Sequence, residues 1–191
     1  RLRAGRPRRG LGMVEAGANT GKHTLFFAAV LEAEVVIPIE PHPRAAAAIR
    51  AAVAKNGLAN VDLSRLGVAV GAGPGRLTAI HSAGGGLGAT RFVADPDGAI
   101  PMSPLDELIS GRVDFLKIDV EGMEMQVFAG AAGILARDRP FLYVEVLDES
   151  VSAFMAWVDA NAYRVEKLFP DKTHCNYVLA PAEAGGVGSG A

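Results

Sequence analysis

Short, mainly apolar runs alternate along the chain with longer stretches whose apolar residues recur at helical spacing. Residues 13–16 form a first run and residues 34–39 a second, apolar enough to be covered on both faces as parallel strands are. Between them, Thr-Gly-Lys-His-Thr-Leu-Phe-Phe-Ala-Ala-Val-Leu at 20–31 has the spacing of a helix. Pro43 is placed as the first residue of the next helix, which runs to about residue 55 and stops at Asn56-Gly57. Strands are predicted over 61–70, 76–80, 113–119 and 141–146, helices over 122–136 and 151–161, and a closing strand pair over 163–168 and 176–179. Ser103-Pro104-Leu105-Asp106 has the form of a helix start, with a capping serine and an acid three residues on. Gly71-Ala72-Gly73-Pro74-Gly75 reads as a turn, and the glycine-rich segment at 84–88 as a connector or a lid over a substrate. Trp157 reads as a core residue. Strands alternating with helices in this way predict a mainly parallel sheet with helices on both faces.

In such a sheet, ligands bind at the carboxyl ends of the strands. Two acids fall at those ends. Residues 14–21 read Val-Glu-Ala-Gly-Ala-Asn-Thr-Gly, and residues 39–43 read Ile-Glu-Pro-His-Pro. The first is an apolar run ending in Glu15 and a glycine turn, where Gly17 and Gly21 let backbone pass close to a ligand. The second places Glu40 to accept hydrogen bonds from a ribose diol, which makes the ligand adenosine-containing. A dinucleotide fold wants Gly-x-Gly-x-x-Gly with a pyrophosphate on the helix N-terminus. Here the spacing is one residue short, Asn19 replaces the middle glycine, and Glu15 would repel a pyrophosphate. Glu15 suits instead a ligand with an ammonium and a sulfonium, S-adenosylmethionine. A plain strand–turn–helix corner would also use Gly17 and Gly21, so Glu15 and Glu40 carry the distinction.

The 191 residues, 50% apolar, suit one globular domain with a sizeable core: a basic tail over 1–10, the domain over 11–181 and a small-residue tail over 182–191. A net charge of −2 gives no reason to expect nucleic acid or an anionic membrane as partner. Arg1, Arg3, Arg6, Arg8 and Arg9 read as a solvated tail. The single cysteine, Cys175, excludes an internal disulfide and a thiolate zinc cage; it reads as a buried strand residue, although His174 beside it makes a catalytic pair conceivable. Glu32 and Glu34 interrupt the longest apolar stretch, and no signal peptide is visible, so a cytoplasmic setting is expected. The sequence carries no signal for oligomeric state.

A second acidic segment, Leu-Lys-Ile-Asp-Val-Glu-Gly-Met-Glu at 116–124, ends the predicted strand over 113–119. Period-two alternation puts Lys117, Asp119 and Glu121 on one face if the strand continues that far. Such acids could orient an acceptor, take its proton or hold a divalent ion with oxygen ligands. Glu121 and Glu124 could equally be first-turn acids of the following helix.

Taken together, these motifs resemble the FkbM family of S-adenosylmethionine-dependent methyltransferases. Val-Glu-Ala-Gly-Ala-Asn-Thr-Gly is similar to the family's Asp-Val-Gly-Ala-Asn-x-Gly, and Ile-Glu-Pro-His-Pro to its Phe-Glu-Pro-Asn-Pro. Ser103-Pro104-Leu105-Asp106 resembles its Thr-x-Leu-Asp segment, and the run over 113–122 resembles it most specifically. Phe128-Ala129-Gly130-Ala131, Arg139-Pro140 and Val144-Glu145 continue the match, which covers about residues 12–147. The resemblance implies an α/β, Rossmann-like class I methyltransferase fold with a seven-stranded, mainly parallel sheet and an antiparallel last strand. It implies methyl transfer to a hydroxyl of a small metabolite or sugar. Carried over by position, Glu15, Gly17, Asn19 and Gly21 hold the methionine part of the cofactor, Glu40 holds its ribose, and Asp119 and Glu121 face the transferred methyl. No metal ligand set is assigned. Glu15 stands where the family has aspartate. Asp119 is the first candidate base, Glu121 the second, with Glu145 and then His81 behind them. The rival readings are a methyltransferase-fold module that binds without catalysis, or is truncated, and a nicotinamide-dependent oxidoreductase.

Overall fold

The computed structural model describes residues 10–81 and 90–182. The terminal tails and the glycine-rich 84–88 segment therefore lie outside the described residues, apart from Gly10 and Ala182. A six-stranded sheet forms the centre, in the order β2-β1-β7-β8-β10-β9. Its strands are β1 (Gly12–Ala16), β2 (Val35–Ile39), β7 (Phe115–Ile118), β8 (Phe141–Leu147), β9 (Tyr163–Pro170) and β10 (His174–Pro181). The first four in chain order run parallel, and β10 is antiparallel to both β8 and β9.

Alternation along the parallel strands assigns the two faces. Val14, Ala16, Leu116, Ile118, Leu142 and Val144 form one fully buried face. It packs against Val127 and Phe128 of α4 (Glu124–Gly130), Ile134 and Leu135 of α5 (Ala132–Asp138), and Phe154 and Val158 of α6 (Val151–Ala160). On the opposite face, Met13, Val36 and Phe115 pack against Phe27 and Ala28 of α1 (Lys22–Ala29). The remaining main helix, α2 (Pro43–Lys55), seats Ile49 and Val53 against Ala18 and Leu66. Pro43 opens α2 as predicted, and Gly57 follows its end at φ +62°. Trp157, expected in the core, is half-buried at its edge, where it stacks on Phe128 with ring centroids 3.8 Å apart.

The seven-stranded sheet predicted from the resemblance is not what forms. The strand expected over 61–70 touches β2 only through two isolated bridges, Val36 to Val61 and Glu40 to Leu66. Pro38 explains the gap. Val36 and Glu40 exchange outward backbone bonds with Asn60, Asp62 and Gly67, and Pro38, between them on the same side, has no N–H to offer. The chain turns at 63–65 instead and ends in the two-residue β3 (Ala69–Val70). That strand belongs to a second sheet, in the order β3-β6-β4-β5, with β4 (Gly75–His81), β5 (Thr90–Ala94) and β6 (Ile100–Ser103). Neither β5 nor β6 was foreseen.

Two helix expectations also change. Ser103 ends β6 rather than capping α3 (Leu105–Leu108), which starts at Pro104 without a side-chain cap. Asp106 turns away and accepts the N–H groups of Gly133 and Ile134, capping α5 from a distance. The helix predicted over 122–136 is broken at Ala131 into α4 and α5.

Phe154 is fully buried between Phe128 and Tyr177, with ring centroids 6.2 and 4.8 Å away. Phe154→Ala is expected to cost about 3–5 kcal/mol of unfolding free energy, read from urea denaturation. A loss below about 1 kcal/mol would show that this aromatic layer is not the packed centre described.

Candidate functional site

Three chain turns meet at the carboxyl edge of the parallel strands. The first leaves β1 through Gly17 and Gly21, both in the left-handed region at φ +79° and +81°. A side chain at Gly17 would run into the carbonyl of Asp119, and one at Gly21 would meet Ile49 of α2 at 2.9 Å. Glycine is thus required by conformation and by space at both positions. Asn19 adopts φ +48°, a conformation asparagine tolerates. The second turn leaves β2 at Glu40 and the third leaves β7 at Asp119.

Glu40 ties the first two turns together. One carboxylate oxygen accepts the Asn19 N–H at 2.7 Å, and the other accepts the His42 N–H at 2.8 Å. The group is only 6% exposed. Burial pushes its pKa up; the two backbone donors pull the other way, and the charges of Glu15 and Asp119 add to the rise. Each oxygen keeps acceptor capacity beyond the bond it already takes.

Asp119 follows the last residue of β7 and fixes its backbone by donating its N–H to Ala16 at 3.0 Å. The strand does not continue to Glu121, which lies in a turn at φ +52°. Alternation alone therefore misplaces Glu121, yet the turn returns it to the same region. Carboxylate oxygens of Asp119, Glu121 and Glu145 lie within 4.8 Å of one another, a grouping of oxygen donors of the kind a hard cation takes. His174 on β10 places Nε2 3.3 Å from Glu145. Burial is the main cause raising the pKa of both Glu121 and Glu145, and Asp119 is the next; the nearby His174 opposes it. Of the segment's acids, Glu124 is the one with a local role: it lies in the first turn of α4 and accepts the Gly122 N–H at 2.8 Å.

Gly17, Asn19, Glu40, Asp119 and Glu121 line one cleft of about 730 Å³, open solvent at its mouth included. The cleft is lined as well by apolar residues that sequence reasoning missed, among them Val68, Val70, Leu77 and Phe92. Two of the site residues named from sequence do not line it. Gly21 packs beneath it on Ile49. Glu15 is fully buried behind the turn, where it accepts the Thr24 hydroxyl at 2.6 Å and faces Lys117 Nζ at 3.5 Å. Lys117 is 2% exposed and also donates to Asp119 at 3.0 Å. Cys175 is buried in β10, and no Cys–His pair forms: His174 turns to Glu145. Among the described residues, no helix is long and apolar enough to cross a membrane.

A parallel sheet closed by an antiparallel last strand, with two strand-end acids and a glycine turn around one cleft, defines an α/β fold of the methyltransferase type. Structural comparison agrees. The chain is similar to methyltransferase FkbM from Methylobacillus flagellatus KT, with a TM-score of 0.64 and 20% identity over 88% of this chain and 43% of that one. It is also similar to an rRNA methylase from Streptococcus thermophilus (TM-score 0.56, 14% identity, 91% and 88% of the two chains). A protein from Streptococcus mutans solved in complex with SAH is a third (TM-score 0.56, 11% identity, 90% and 89%). The chain thus spans less than half the length of the Methylobacillus protein. Among curated proteins, none matches it. Residues 15–165 match the family model of the methyltransferase FkbM domain, and the chain belongs to that family.

Glu124 is 2% exposed, and its second carboxylate oxygen has no hydrogen-bond partner. Burial is the chief cause raising its pKa. A carboxyl raised in the fold stabilises it only while protonated, so this contribution is present below the ordinary value of 4.5 and is lost as pH rises through the folded value. Glu124→Gln keeps the shape and removes the charge. The variant is therefore expected to be more stable than wild type at pH 7, with the difference closing as pH falls to about 4.5 in urea denaturation. A variant less stable at pH 7 would contradict the assignment.

Proposed function

We propose that the cleft binds S-adenosylmethionine and that the chain transfers its methyl group to a hydroxyl oxygen of a small metabolite or sugar. The observation that carries this reading is Glu40. It is a buried carboxylate at the tip of the second strand, pinned by two backbone N–H groups and lining a cleft shared with the apolar Val68, Val70, Leu77 and Phe92. A ribose diol donating to Glu40 sets the adenine ring against Val68, Val70, Leu77 and Phe92. It leaves the methionine end over Gly17 and Asn19, on the turn that Gly21 closes. Family membership and a fold shared with a protein solved in complex with SAH support the same cofactor.

Methyl transfer is an in-line displacement at a sulfonium already prepared to leave. The chain's main contribution is to hold the acceptor oxygen in line, and good positioning supplies roughly 7–11 kcal/mol. An alcohol is a weak nucleophile, so a base adds about 10²–10⁴-fold. Asp119 takes that role, with Glu121 beside it. The acceptor is held as well by Glu145, so that three carboxylates are available to hydrogen-bond a polyhydroxyl compound. The charge of the chain and the acidic lining favour such a neutral acceptor over a nucleic acid.

Calorimetric titration with S-adenosylhomocysteine is expected to give micromolar binding, with NADH as the control that does not bind. Glu40→Ala removes the ribose acceptor and the tie between two turns, and is expected to weaken that binding about ten- to a hundredfold or more. Asp119→Asn is expected to leave binding largely intact and lower turnover about 10²–10⁴-fold on an acceptor found by screening hydroxylated metabolites. Binding of NADH in preference, or unchanged affinity in Glu40→Ala, would overturn the cofactor assignment; equal turnover in Asp119→Asn would remove it as base.

A further inference from the structure

One charged row crosses the otherwise apolar middle of the main sheet. In register, Glu15 on β1 pairs with Lys117 on β7, and Lys117 with Tyr143 on β8. Glu15 is fully buried and Lys117 is 2% exposed. The other lysines, Lys22, Lys55, Lys167 and Lys172, are all exposed. A buried lysine is uncommon, and an apolar pair of the same volume would serve stability as well or better. Its three partners account for its presence. Lys117 Nζ donates to the Gly17 carbonyl at 3.2 Å and to Asp119 Oδ2 at 3.0 Å, and it lies 3.5 Å from Glu15 Oε1. Glu15 Oε1 is buried and has no hydrogen-bond partner of its own, so it acts on the ammonium through charge. His23, 3.6 Å from the same oxygen, lies on the exposed side of α1.

Both acceptors of the ammonium belong to the cleft. The Gly17 carbonyl is in the turn beneath the methionine end, and Asp119 sits among carboxylates whose oxygens come within 4.8 Å of its own. Without a cation beneath it, Asp119 would be pushed from that position by Glu121 and Glu145.

We propose that Lys117 is the positioning residue of the site: with Glu15 as its counter-ion, it holds the Gly17 carbonyl and the Asp119 carboxylate where they meet cofactor and acceptor, so that Glu15 acts on the cofactor through Lys117 and not by contact. This rests on the cofactor reading above. It explains why an acid needed at the methionine end is sealed away from the cleft.

The test is a cycle of four chains: wild type, Glu15→Gln, Lys117→Met and the double variant. Each is titrated calorimetrically with S-adenosylhomocysteine and unfolded in urea. Lys117→Met leaves the buried Glu15 without its counter-ion, and Glu15→Gln leaves Lys117 with Asp119 as its one carboxylate partner; each is expected to lose stability, and the double variant to recover part of the Lys117→Met loss. Lys117→Met is expected to bind about ten- to a hundredfold more weakly than wild type. The double variant is expected to bind no more weakly than Lys117→Met alone, because both act through one ammonium. Wild-type affinity in the double variant would reduce the pair to packing and overturn the proposal. Losses that add across the cycle would show that Glu15 meets the cofactor itself, and would overturn it too. Failure of wild type to bind the probe would instead bring down the cofactor reading, and this proposal with it. Should the variants not fold, the wild-type Lys117 ammonium decides: as the one buried lysine, it should give a slowly exchanging Nζ–H signal by NMR, and that signal must shift as S-adenosylhomocysteine saturates the site. A signal unmoved at saturation overturns the proposal.

Discussion

Asn19 and His42 donate their backbone N–H groups to the two oxygens of one buried carboxylate, Glu40, and this joint sets the shape of the site. It locks the glycine turn after β1 to the turn after β2. The desolvation that raises the pKa of Glu40 is opposed by those same two donors, which favour the charged form. A third turn is brought in by backbone alone. Asp119 donates its N–H to Ala16, and Gly17 has no side chain that could hold the Asp119 carbonyl away. Close approach of three turns at one sheet edge is therefore a packing requirement as much as a chemical one.

The departure from a seven-stranded sheet has a local cause and a functional consequence. Pro38 removes the N–H that an additional strand would need between the bridges at Val36 and Glu40. The chain released there continues into a separate four-stranded sheet. Val70, Leu77, Thr90 and Phe92 from that sheet, with Val68 leading into it, line the cleft together with Glu40. Much of the cleft's apolar lining thus comes from the second sheet and the residues leading into it, while its acids follow strands of the main sheet.

How much of this was legible in the sequence follows from how local each feature is. Strand-end acids and the glycine turn were readable because alternation and turn chemistry act within a few residues; Glu40, Gly17, Asn19 and Asp119 all line the cleft named for them. Glu15 was placed at the right strand end, but its side chain points to the buried partner Lys117, a contact made across more than a hundred positions of chain. Alternation put Lys117 on the face of Asp119, and only the sheet register shows it bonded to the Gly17 carbonyl. The pairing of His174 with Glu145 depends on the antiparallel register of β8 and β10 and has no local signature. The cap that Asp106 provides for α5 is equally non-local, which is why Ser103-Pro104-Leu105-Asp106 read as a start for its own helix. Strands β5 and β6 were missed because the first follows a glycine-rich segment and the second follows Asp95-Pro96-Asp97-Gly98 and itself contains Pro101.

The site proposed for the nucleoside lies between Glu40 and the apolar Leu77 and Phe92, with the transferred methyl directed at Asp119. A crystal structure of the chain with S-adenosylhomocysteine tests it most directly. Both ribose hydroxyls are expected within hydrogen-bond distance of the Glu40 carboxylate, the adenine ring against Leu77 and Phe92, and the sulfur on the Asp119 side of Gly17. Ligand density elsewhere on the molecule, or a ribose turned away from Glu40, would contradict it.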